Sequence, residues 1–186
     1  MVTHTGTKTL ETKRLFLRRF TLDDTQAMFD NWASDPDVTK FLSWPAHKNI
    51  TVTKAVLENW VENYSSNEFY QWAIVLKGNA DRPIGSISVI THNDRVASAE
   101  IGYCLGRQWW HKGIMSEALK AVMDYLFDEV GMNRVSAKHD PNNPHSGGVM
   151  RKCGMQYEGT QRQAACNNQG ICDVCCYAML RSDRNT

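Results

Sequence analysis

The 186-residue sequence predicts one α/β domain of the α+β kind, with about seven strands and about four helices. Two observations support this prediction. Stretches of alternating apolar residues are interleaved with stretches of 3.6-residue apolar spacing, and no linker, repeat or low-complexity tract separates them. The predicted order is β-α-α-β-β-β-α-β-α-β-β. We expect one domain over residues 1–186, with a flexible N-terminus over 1–9 and a tail over 182–186.

The first half of the chain is predicted to hold a strand, two helices and three more strands. Leu15 and Leu17 alternate in a strand over 10–20, and Thr21 is typical of the N-cap of a helix that stops before Asp35. Apolar residues spaced by four predict a second helix. The elements that follow are a helix over about 51–64 and strands over 68–77, 83–90 and 96–105, with turns at 78–81 and 92–94.

The second half begins with the strongest helix signal of the chain. Residues such as Ile114, Ala118 and Val122 share one face of a helix that runs from near Lys112 to near Gly131. A strand over 133–138 follows. Strands over 155–165 and 170–180 end the predicted domain.

A further helix is predicted between these strands. Asn143 fits its N-cap and Pro144 its first position, and it ends at Cys153. Gly147 and Gly148 are unusual there, because each costs about 1 kcal/mol relative to Ala. Either a ligand approaches the helix backbone closely, or the first turn is loose.

Composition excludes several classes of partner. A net charge of +1 creates no global field for nucleic acid or an anionic membrane. No apolar run reaches membrane-spanning length, and the polar start lacks a signal-peptide core, so we expect a cytoplasmic protein with reduced cysteines. Cys172, Cys175 and Cys176 lie on a predicted strand that splits them between two faces, and no His follows at finger spacing. We therefore expect no metal site.

The segment before the central helix is the best candidate for a ligand site. A strand that turns directly into a helix leaves unpaired N–H groups at the positive end of the helix dipole, which favours an anion. Gly113 leaves room for close approach, and Lys112 adds a cation. A phosphate-bearing ligand fits this pattern, although an ordinary surface loop fits it equally well.

This loop resembles the pyrophosphate loop of the GNAT superfamily of acetyl-CoA-dependent N-acetyltransferases, Gln/Arg-x-x-Gly-x-Gly/Ala, which here reads Trp110 to Met115. Residues 99–103, 143–146, 152–155 and 157–159 are similar to the branch of Rim-type protein N-terminal acetyltransferases. The resemblance covers nearly the whole chain. It implies a mixed, mostly antiparallel central sheet, with the aromatic loop at 41–45 forming part of the acceptor wall.

The resemblance also implies which residues hold acetyl-CoA, with no metal involved. The pantetheine arm pairs with the strand that ends at Leu105, and the pyrophosphate lies on the loop and first turn of the central helix. The implied cofactor-binding residues are Tyr103, Cys104, Leu105, His111, Lys112, Gly113, Ile114, Met115, Ser116, Asn143 and Ser146. Several have a purely structural alternative: Tyr103 and Leu105 as core, Asn143 as a simple N-cap, and His111 as a backbone contributor.

For catalysis the resemblance implies direct attack by the amine, without an acyl-enzyme. Glu100 is the best candidate for a base acting through water, and a structural carboxylate is the alternative. Ser146 is the candidate acid, with Tyr157 as second choice. Many GNAT members have a Tyr at the position of Met150, and some Rim-type members have a carboxylate at the position of Ala165, so both of those groups are missing here.

A weak base favours an acceptor of low pKa. An α-amine with a pKa of about 7.7–8.0 is roughly a tenth to a fifth neutral at pH 7, whereas a Lys-like amine near 10.4 is about one part in a few thousand neutral. We therefore expect a protein or peptide N-terminus as acceptor. The alternatives are a small-molecule amine (antibiotic, amino acid or polyamine) and a non-catalytic acyl-CoA-binding module. A homodimer is a further possibility that the family suggests.

Overall fold

The computed structural model describes residues 1–78 and 80–185. Its strands are β1 (Leu10–Glu11), β2 (Leu15–Arg18), β3 (Gln71–Leu76), β4 (Pro83–Asn93), β5 (Ser98–Leu105), β6 (Arg134–His139), β7 (Gln156–Asn167) and β8 (Gly170–Leu180). They form one eight-stranded sheet in the order β1-β2-β3-β4-β5-β6-β8-β7. All neighbouring pairs are antiparallel except β5 and β6. The prediction of a mixed, mostly antiparallel sheet in an α+β domain is confirmed.

Five α-helices accompany the sheet within the described ranges: α1 (Thr25–Met28), α2 (Pro36–Thr39), α3 (Ile50–Asn63), α4 (Ile114–Tyr125) and α5 (Pro144–Lys152). Helices α1 and α4 continue into π-helical turns at Phe29–Ala33 and Leu126–Val130. None of these helices combines the length and apolar character that crossing a bilayer requires.

Two short elements were not predicted. The single strand expected over 10–20 is divided, because Thr12 turns the chain: its N–H donates to the Leu15 carbonyl, and its hydroxyl accepts from the Leu15 N–H, each at 2.9 Å. Helix α2 begins at Pro36, where the Asp35 carboxylate accepts from the Asp37 N–H at 2.9 Å. The sequence reading treated Asp35-Pro36 only as a helix stop.

The boundary between β4 and β5 also differs from the prediction. Strand β4 continues to Asn93, beyond the expected end at 90, and β5 begins at Ser98 rather than 96. A 3₁₀ turn at Asp94–Val96 separates them, followed by Ala97 in the left-handed conformation at φ 47°. The left-handed backbone of Ala97 interrupts the extended chain here, so β5 starts after it.

The N-terminal segment is packed against the domain, contrary to the expected flexibility of residues 1–9. The Thr3 N–H donates to Val130 at 2.8 Å, and the Gly6 N–H donates to Asn67 at 2.7 Å. The buried Thr7 hydroxyl donates to the Phe69 carbonyl at 2.9 Å. These pairings satisfy backbone groups that would otherwise need water.

At the other end, the predicted tail is also tied down where the structure describes it. Arg184 makes an ion pair of 2.6 Å with Asp128. Thr186, and Asn79 of the turn predicted at 78–81, lie outside the described residues.

The sheet separates two hydrophobic clusters. On one face, Trp72 and Ile101 pack with α4 residues such as Leu119. On the other face, Trp32 and Leu57 belong to the cluster that lies beneath α1 and α3. Burial on both faces fixes the strand register, because a shift by one residue would exchange the two faces.

Strands β5 and β6 pair over only three residues and then separate. In this described region the pairs are Ser98–Arg134, Ala99–Val135 and Glu100–Ser136. On the far side of β5, the β4 register shifts between Val89 and Thr91, opposite Ile101 and Glu100. A bulge bends a strand and increases its twist. We attribute the divergence of β5 from β6 to this bulge, and we call the resulting opening the wedge.

Helix α5 lies across β6, and Gly147 makes that contact possible. A Cβ on Gly147 would lie 2.4 Å from His139 Nε2, whereas a Cβ on Gly148 would meet nothing closer than 4.0 Å. The His139 ring is buried, and its Nδ1–H donates to the Asp140 carbonyl at 2.8 Å. Close approach of a protein side chain, rather than of a ligand, therefore explains Gly147.

These two adjacent glycines provide a matched test. Gly147→Ala should lower the free energy of unfolding by about 1–3 kcal/mol, because the added methyl group displaces the His139 ring. Gly148→Ala should leave it unchanged or raise it by up to about 1 kcal/mol, through helix propensity. Urea denaturation followed by circular dichroism measures both. Equal shifts for the two variants would contradict this account of α5.

Candidate active site

The wedge opens into a cavity of about 370 Å³ between β5, the loop before α4, and α5. Every predicted cofactor residue lines it except Lys112. The lining residues are Val38, Phe41, Leu42, Tyr103, Cys104, Leu105, Trp109, Trp110, His111, Gly113, Ile114, Met115, Ser116, Asn143, His145, Ser146, Gly148, Val149 and Lys152.

The loop before α4 is folded by two left-handed residues, His111 at φ 60° and Gly113 at φ 70°. Gly113 takes the N-cap position of α4. Alternation of left- and right-handed residues turns successive N–H groups toward one side, and the helix dipole adds positive potential there. The loop is therefore suited to bind an anion with its backbone.

A partly buried ion pair between Arg14 and Glu117 connects this loop to the β1–β2 turn. The Glu117 carboxylate accepts from Arg14 Nε at 2.6 Å, from the Arg14 N–H at 2.9 Å and from the Thr12 hydroxyl at 2.6 Å. Burial alone would raise the pKa of Glu117, but these hydrogen bonds outweigh it and hold that pKa below its usual value. Arg14 Nη1 also donates to the Lys112 carbonyl at 2.9 Å, which adds a second link between Arg14 and the loop.

Two cations beside Gly113 were not predicted. A Cβ at Gly113 would lie 3.4 Å from Lys152 Nζ and 3.6 Å from an Arg14 guanidinium nitrogen. Arg14 comes from the β1–β2 turn and Lys152 from the end of α5, so no local spacing links either residue to the loop. Together they supply beside the loop the positive charge that the sequence-based prediction attributed to Lys112.

Tyr103 and Ser146 form a hydroxyl pair across the wedge. The Tyr103 hydroxyl donates to the Ser146 carbonyl at 3.0 Å and lies 3.1 Å from Ser146 Oγ. Burial raises the pKa of Tyr103, and the hydrogen bond with Ser146 opposes this only in part. The sequence-based prediction concerned the backbone of Tyr103 and did not include this contact of its hydroxyl group.

Cys104 lies in the same cavity as a neutral thiol. Burial raises its pKa to about 11, and the Ser86 hydroxyl lies 3.3 Å from its sulfur. Only the thiolate is a strong nucleophile. This environment agrees with the expectation that the chain uses no acyl-enzyme.

Asn143 occupies the N-cap position of α5, but its side chain makes no capping hydrogen bond there. It lines the cavity instead. Asn143 is therefore the N-cap residue by position, as predicted, but its side-chain amide is not engaged in capping.

Glu100 lies at the closed end of the wedge and is absent from the residues that line the described cavity. Its carboxylate forms an ion pair of 2.8 Å with Lys138 on β6, and this hydrogen bond raises the pKa of Lys138. The ion pair holds the Glu100 carboxylate at β6, away from the residues that line the cavity. The lining residues with basic nitrogen atoms are His111, His145 and Lys152.

Met150, at the position where the resemblance implies a Tyr, is 1% exposed and belongs to the core beneath α5. It offers no proton to the cavity. Ser146 and Tyr103 are then the hydroxyl groups among the lining residues, apart from Ser116 at the start of α4.

The outer wall of the cavity consists of Val38, Phe41 and Leu42. The turn between β7 and β8 holds this wall in place: Asn168 Nδ2 donates to the carbonyls of Thr39 and Trp44, each at 2.8 Å. Phe41 and Leu42 belong to the loop that the resemblance assigned to the acceptor wall. Asn168 was missed, because its contacts are more than 120 residues away in sequence.

Comparison with known proteins agrees with this geometry. The model of the Acetyltransferase (GNAT) domain matches residues 14–156. An uncharacterized N-acetyltransferase, p20 of Bacillus licheniformis, is 30% identical over 95% of this chain and 98% of its own length. A GNAT-family acetyltransferase from Bacillus anthracis superposes with a TM-score of 0.82 at 26% identity, covering 94% of this chain and 99% of its own.

RimL, a ribosomal L7/L12 alpha-N-protein acetyltransferase solved in complex with coenzyme A, shares the fold. Its TM-score is 0.82 at 21% identity, with 93% of this chain and 98% of its own covered. On the family match and the full-length relatives, the chain belongs to the GNAT acetyltransferase family and is an acyltransferase.

The loop at Gly113 can be tested by a charge substitution. Gly113→Glu should abolish binding of coenzyme A, because a carboxylate at the anion site repels the pyrophosphate and fills its space. Gly78→Glu is the matched control, since Gly78 is also left-handed, at φ 82°, and has nothing near its Cβ position. Isothermal titration calorimetry with coenzyme A measures both. Retained binding by Gly113→Glu would remove this loop from the site.

Proposed function

We propose that the protein transfers an acetyl group from acetyl-CoA to an N-terminal α-amine of a protein or peptide, by direct attack in a ternary complex. The observation that carries this proposal is the wedge. It joins an anion-binding loop at one end to an apolar outer wall at the other, with a hydroxyl pair between them. The relatives named above are acetyltransferases, and RimL acts on an alpha-amino group.

The chemistry of the residues around the cavity suits acetyl-CoA. The pyrophosphate would lie on the loop at His111 and Gly113, near Arg14 and Lys152. The pantetheine arm is an amide chain, and the part of β5 beyond Glu100 has no β6 neighbour in the described sheet to occupy that edge. An amide chain can therefore pair with β5 as an added strand. Asn143 and Ser146 approach from the opposite side on α5.

The reaction requires one bond to form and one to break. The neutral amine nitrogen attacks the thioester carbonyl, the C–N bond forms, and the C–S bond breaks. The departing thiolate then takes a proton, for which Ser146 is the candidate donor. The Tyr103 hydroxyl lies 3.1 Å from Ser146 Oγ and can return a proton to it when its O–H turns from the Ser146 carbonyl to this oxygen. The proton that the amine nitrogen loses passes to solvent or to a cavity base.

The acceptor class follows from the shortage of carboxylate bases in the cavity. No Asp or Glu lines the described cavity, and the nearby Glu100 is paired with Lys138. The lining histidines, His111 and His145, have rings 4.6 Å apart and lie at the loop end of the cavity, where the pyrophosphate would bind. Such a site cannot readily deprotonate an amine of high pKa, so it favours an amine that is partly neutral at physiological pH. An α-amine meets this requirement, and a polyamine or a lysine side chain does not.

The acceptor can be identified by mass spectrometry. The protein and acetyl-CoA would be incubated with peptides of varied N-termini, polyamines, amino acids and aminoglycosides. We expect acetylation at peptide α-amines and very slow reaction of spermidine. For an accepted peptide, kcat/KM should rise with pH and level off above about pH 8, where the α-amine is largely neutral. Acetylation of small amines alone would remove the protein-substrate proposal while leaving the acetyltransferase assignment intact.

The proposed proton donor can be tested separately. Ser146→Ala should lower kcat by about 100-fold, because it removes general acid catalysis, with little change in coenzyme A affinity. Glu100→Gln should have a smaller effect, since Glu100 is engaged with Lys138. Ser65→Ala, at an exposed helix end, is the matched control. Single-turnover kinetics with an accepted peptide gives all three rates. If Glu100→Gln is the slower variant, Glu100 is the base despite its ion pair.

A further inference from the structure

A group of metal-ligating side chains lies where the N-terminal segment meets the β4–β5 turn. His4 Nε2 is 3.1 Å and 3.2 Å from the two oxygens of Asp94, and His92 Nδ1 is 3.0 Å from Asp94 Oδ1. The two imidazole rings are 4.5 Å apart. None of these three residues lines the cavity described above, so the group is separate from the acetyl-transfer site.

The spacing of these atoms suits a tetrahedral metal ion. Ligands at about 2.0 Å from zinc, at tetrahedral angles, are separated by about 3.3 Å. The nitrogen–oxygen distances of 3.0–3.2 Å are close to this value, and the candidate ligand atoms of all three residues lie within 4.8 Å of one another. Two imidazoles and one carboxylate form a ligand set typical of zinc.

The far nitrogen of each imidazole also has a partner. His4 Nδ1 lies 2.8 Å from the Tyr70 hydroxyl, and His92 Nε2 lies 3.9 Å from a Glu68 oxygen. In metal sites the ligating histidine usually donates its other N–H to an oxygen, which fixes the ring and its tautomer. Tyr70 is 1% exposed, so its hydroxyl is held rigidly by the core.

The three side chains differ in solvent exposure, as expected for a metal site that is open to water on one side. The side chain of His4 is 10% exposed, that of His92 24% and that of Asp94 50%. A water molecule can reach the fourth position from the Asp94 side. The two histidines are the less exposed ligands: His4 is hydrogen-bonded to Tyr70, and His92 lies near Glu68 without a hydrogen bond to it.

We propose that His4, His92 and Asp94 form a zinc-type divalent metal site that fastens the N-terminal segment to the β4–β5 turn. This replaces the sequence-based expectation that the chain has no metal site. That expectation came from the cysteine cluster, whereas these ligands come from two distant segments with no recognisable motif spacing. His92 and Asp94 are two residues apart, and His4 joins them only in the fold.

A metal ion here would stabilise the N-terminal segment. The neighbouring Thr5 hydroxyl contacts the Tyr125 hydroxyl at 2.6 Å, and Tyr125 donates to the Gly6 carbonyl at 2.6 Å. Ordering of residues 3–8 is thus linked to the position of His4. An ion that binds the folded state alone raises stability with its concentration.

The alternative is that these side chains are hydrogen-bonded to one another without a metal ion. The two states differ in which nitrogen of His4 carries a proton. Without metal, His4 carries its proton on Nε2 and donates to Asp94, while Tyr70 donates to Nδ1. With metal on Nε2, His4 carries its proton on Nδ1 and donates to Tyr70. Nitrogen-15 NMR of the histidine rings distinguishes these tautomers directly.

The experiment uses the full chain without a polyhistidine tag, titrated with Zn²⁺ by calorimetry and with Co²⁺ by absorption spectroscopy. We expect one ion per chain, a rise in Tm, and a Co²⁺ spectrum without the charge-transfer band of a thiolate ligand. Zn²⁺ should also move the His4 proton from Nε2 to Nδ1. The cobalt spectrum is needed because the free cysteines described in the structure also bind zinc.

Variants assign the site to these residues. Asp94→Asn and His92→Gln should each weaken Zn²⁺ binding by more than tenfold, and Tyr70→Phe should weaken it by about tenfold through loss of the outer partner. His47→Gln is the matched control, since His47, whose Nδ1 lies 2.8 Å from the Thr53 hydroxyl, is not one of the proposed ligands. Zinc affinity equal in wild type and Asp94→Asn, a thiolate band with Co²⁺, or an unmoved His4 proton would each overturn the proposal.

Discussion

The structure depends on one irregularity, the early separation of β5 from β6. Three residue pairs join these parallel strands, and a bulge in β4 then bends β5 away at Glu100 and Ile101. The opening cannot close, because β5 remains paired to β4 along its length and β6 to β8. A continuous sheet would have left no unpaired edge and no cavity in the middle of the domain.

Helix α5 keeps the two walls of the wedge at a fixed distance. Two consecutive residues make the contacts: Ser146 meets Tyr103 on β5, and Gly147 packs on His139 of β6. The helix therefore bridges the opening at the place where the strands have separated. Neither contact tolerates substitution easily, since one depends on a pair of hydroxyl groups and the other on the absence of a side chain.

Charge is distributed unevenly around the cavity. Positive charge lies beside the loop at Gly113. It comes from Arg14, which is oriented by Glu117, and from Lys152 at the end of α5. The outer wall is apolar, and the Glu100 carboxylate is paired with Lys138. In the proposed reaction, the cations would hold the anionic end of the donor, and deprotonation of the acceptor would be left largely to the amine itself.

The sequence by itself determined the order of the main elements and the loop before α4. Periodicity located α3 and α4 to within a few residues, because their apolar faces pack on the sheet and local spacing records that requirement. The Asn143-Pro144 start located α5 equally well. Gly113 could be predicted because a left-handed residue at the start of a helix depends mainly on the residues next to it in sequence. The division of β1 from β2, the start of α2 and the packed N-terminus were missed, since side-chain hydrogen bonds rather than periodicity decide them.

Only the tertiary structure decided the partners of the site residues. The contact of Tyr103 with Ser146, the pairing of Glu100 with Lys138 and the arrival of Lys152 beside Gly113 all join segments tens of residues apart. No local pattern encodes such distances, because they are set by how the strands twist and where α5 settles. The sequence therefore specified which chemical groups are present, and the fold determined which of them are free to act.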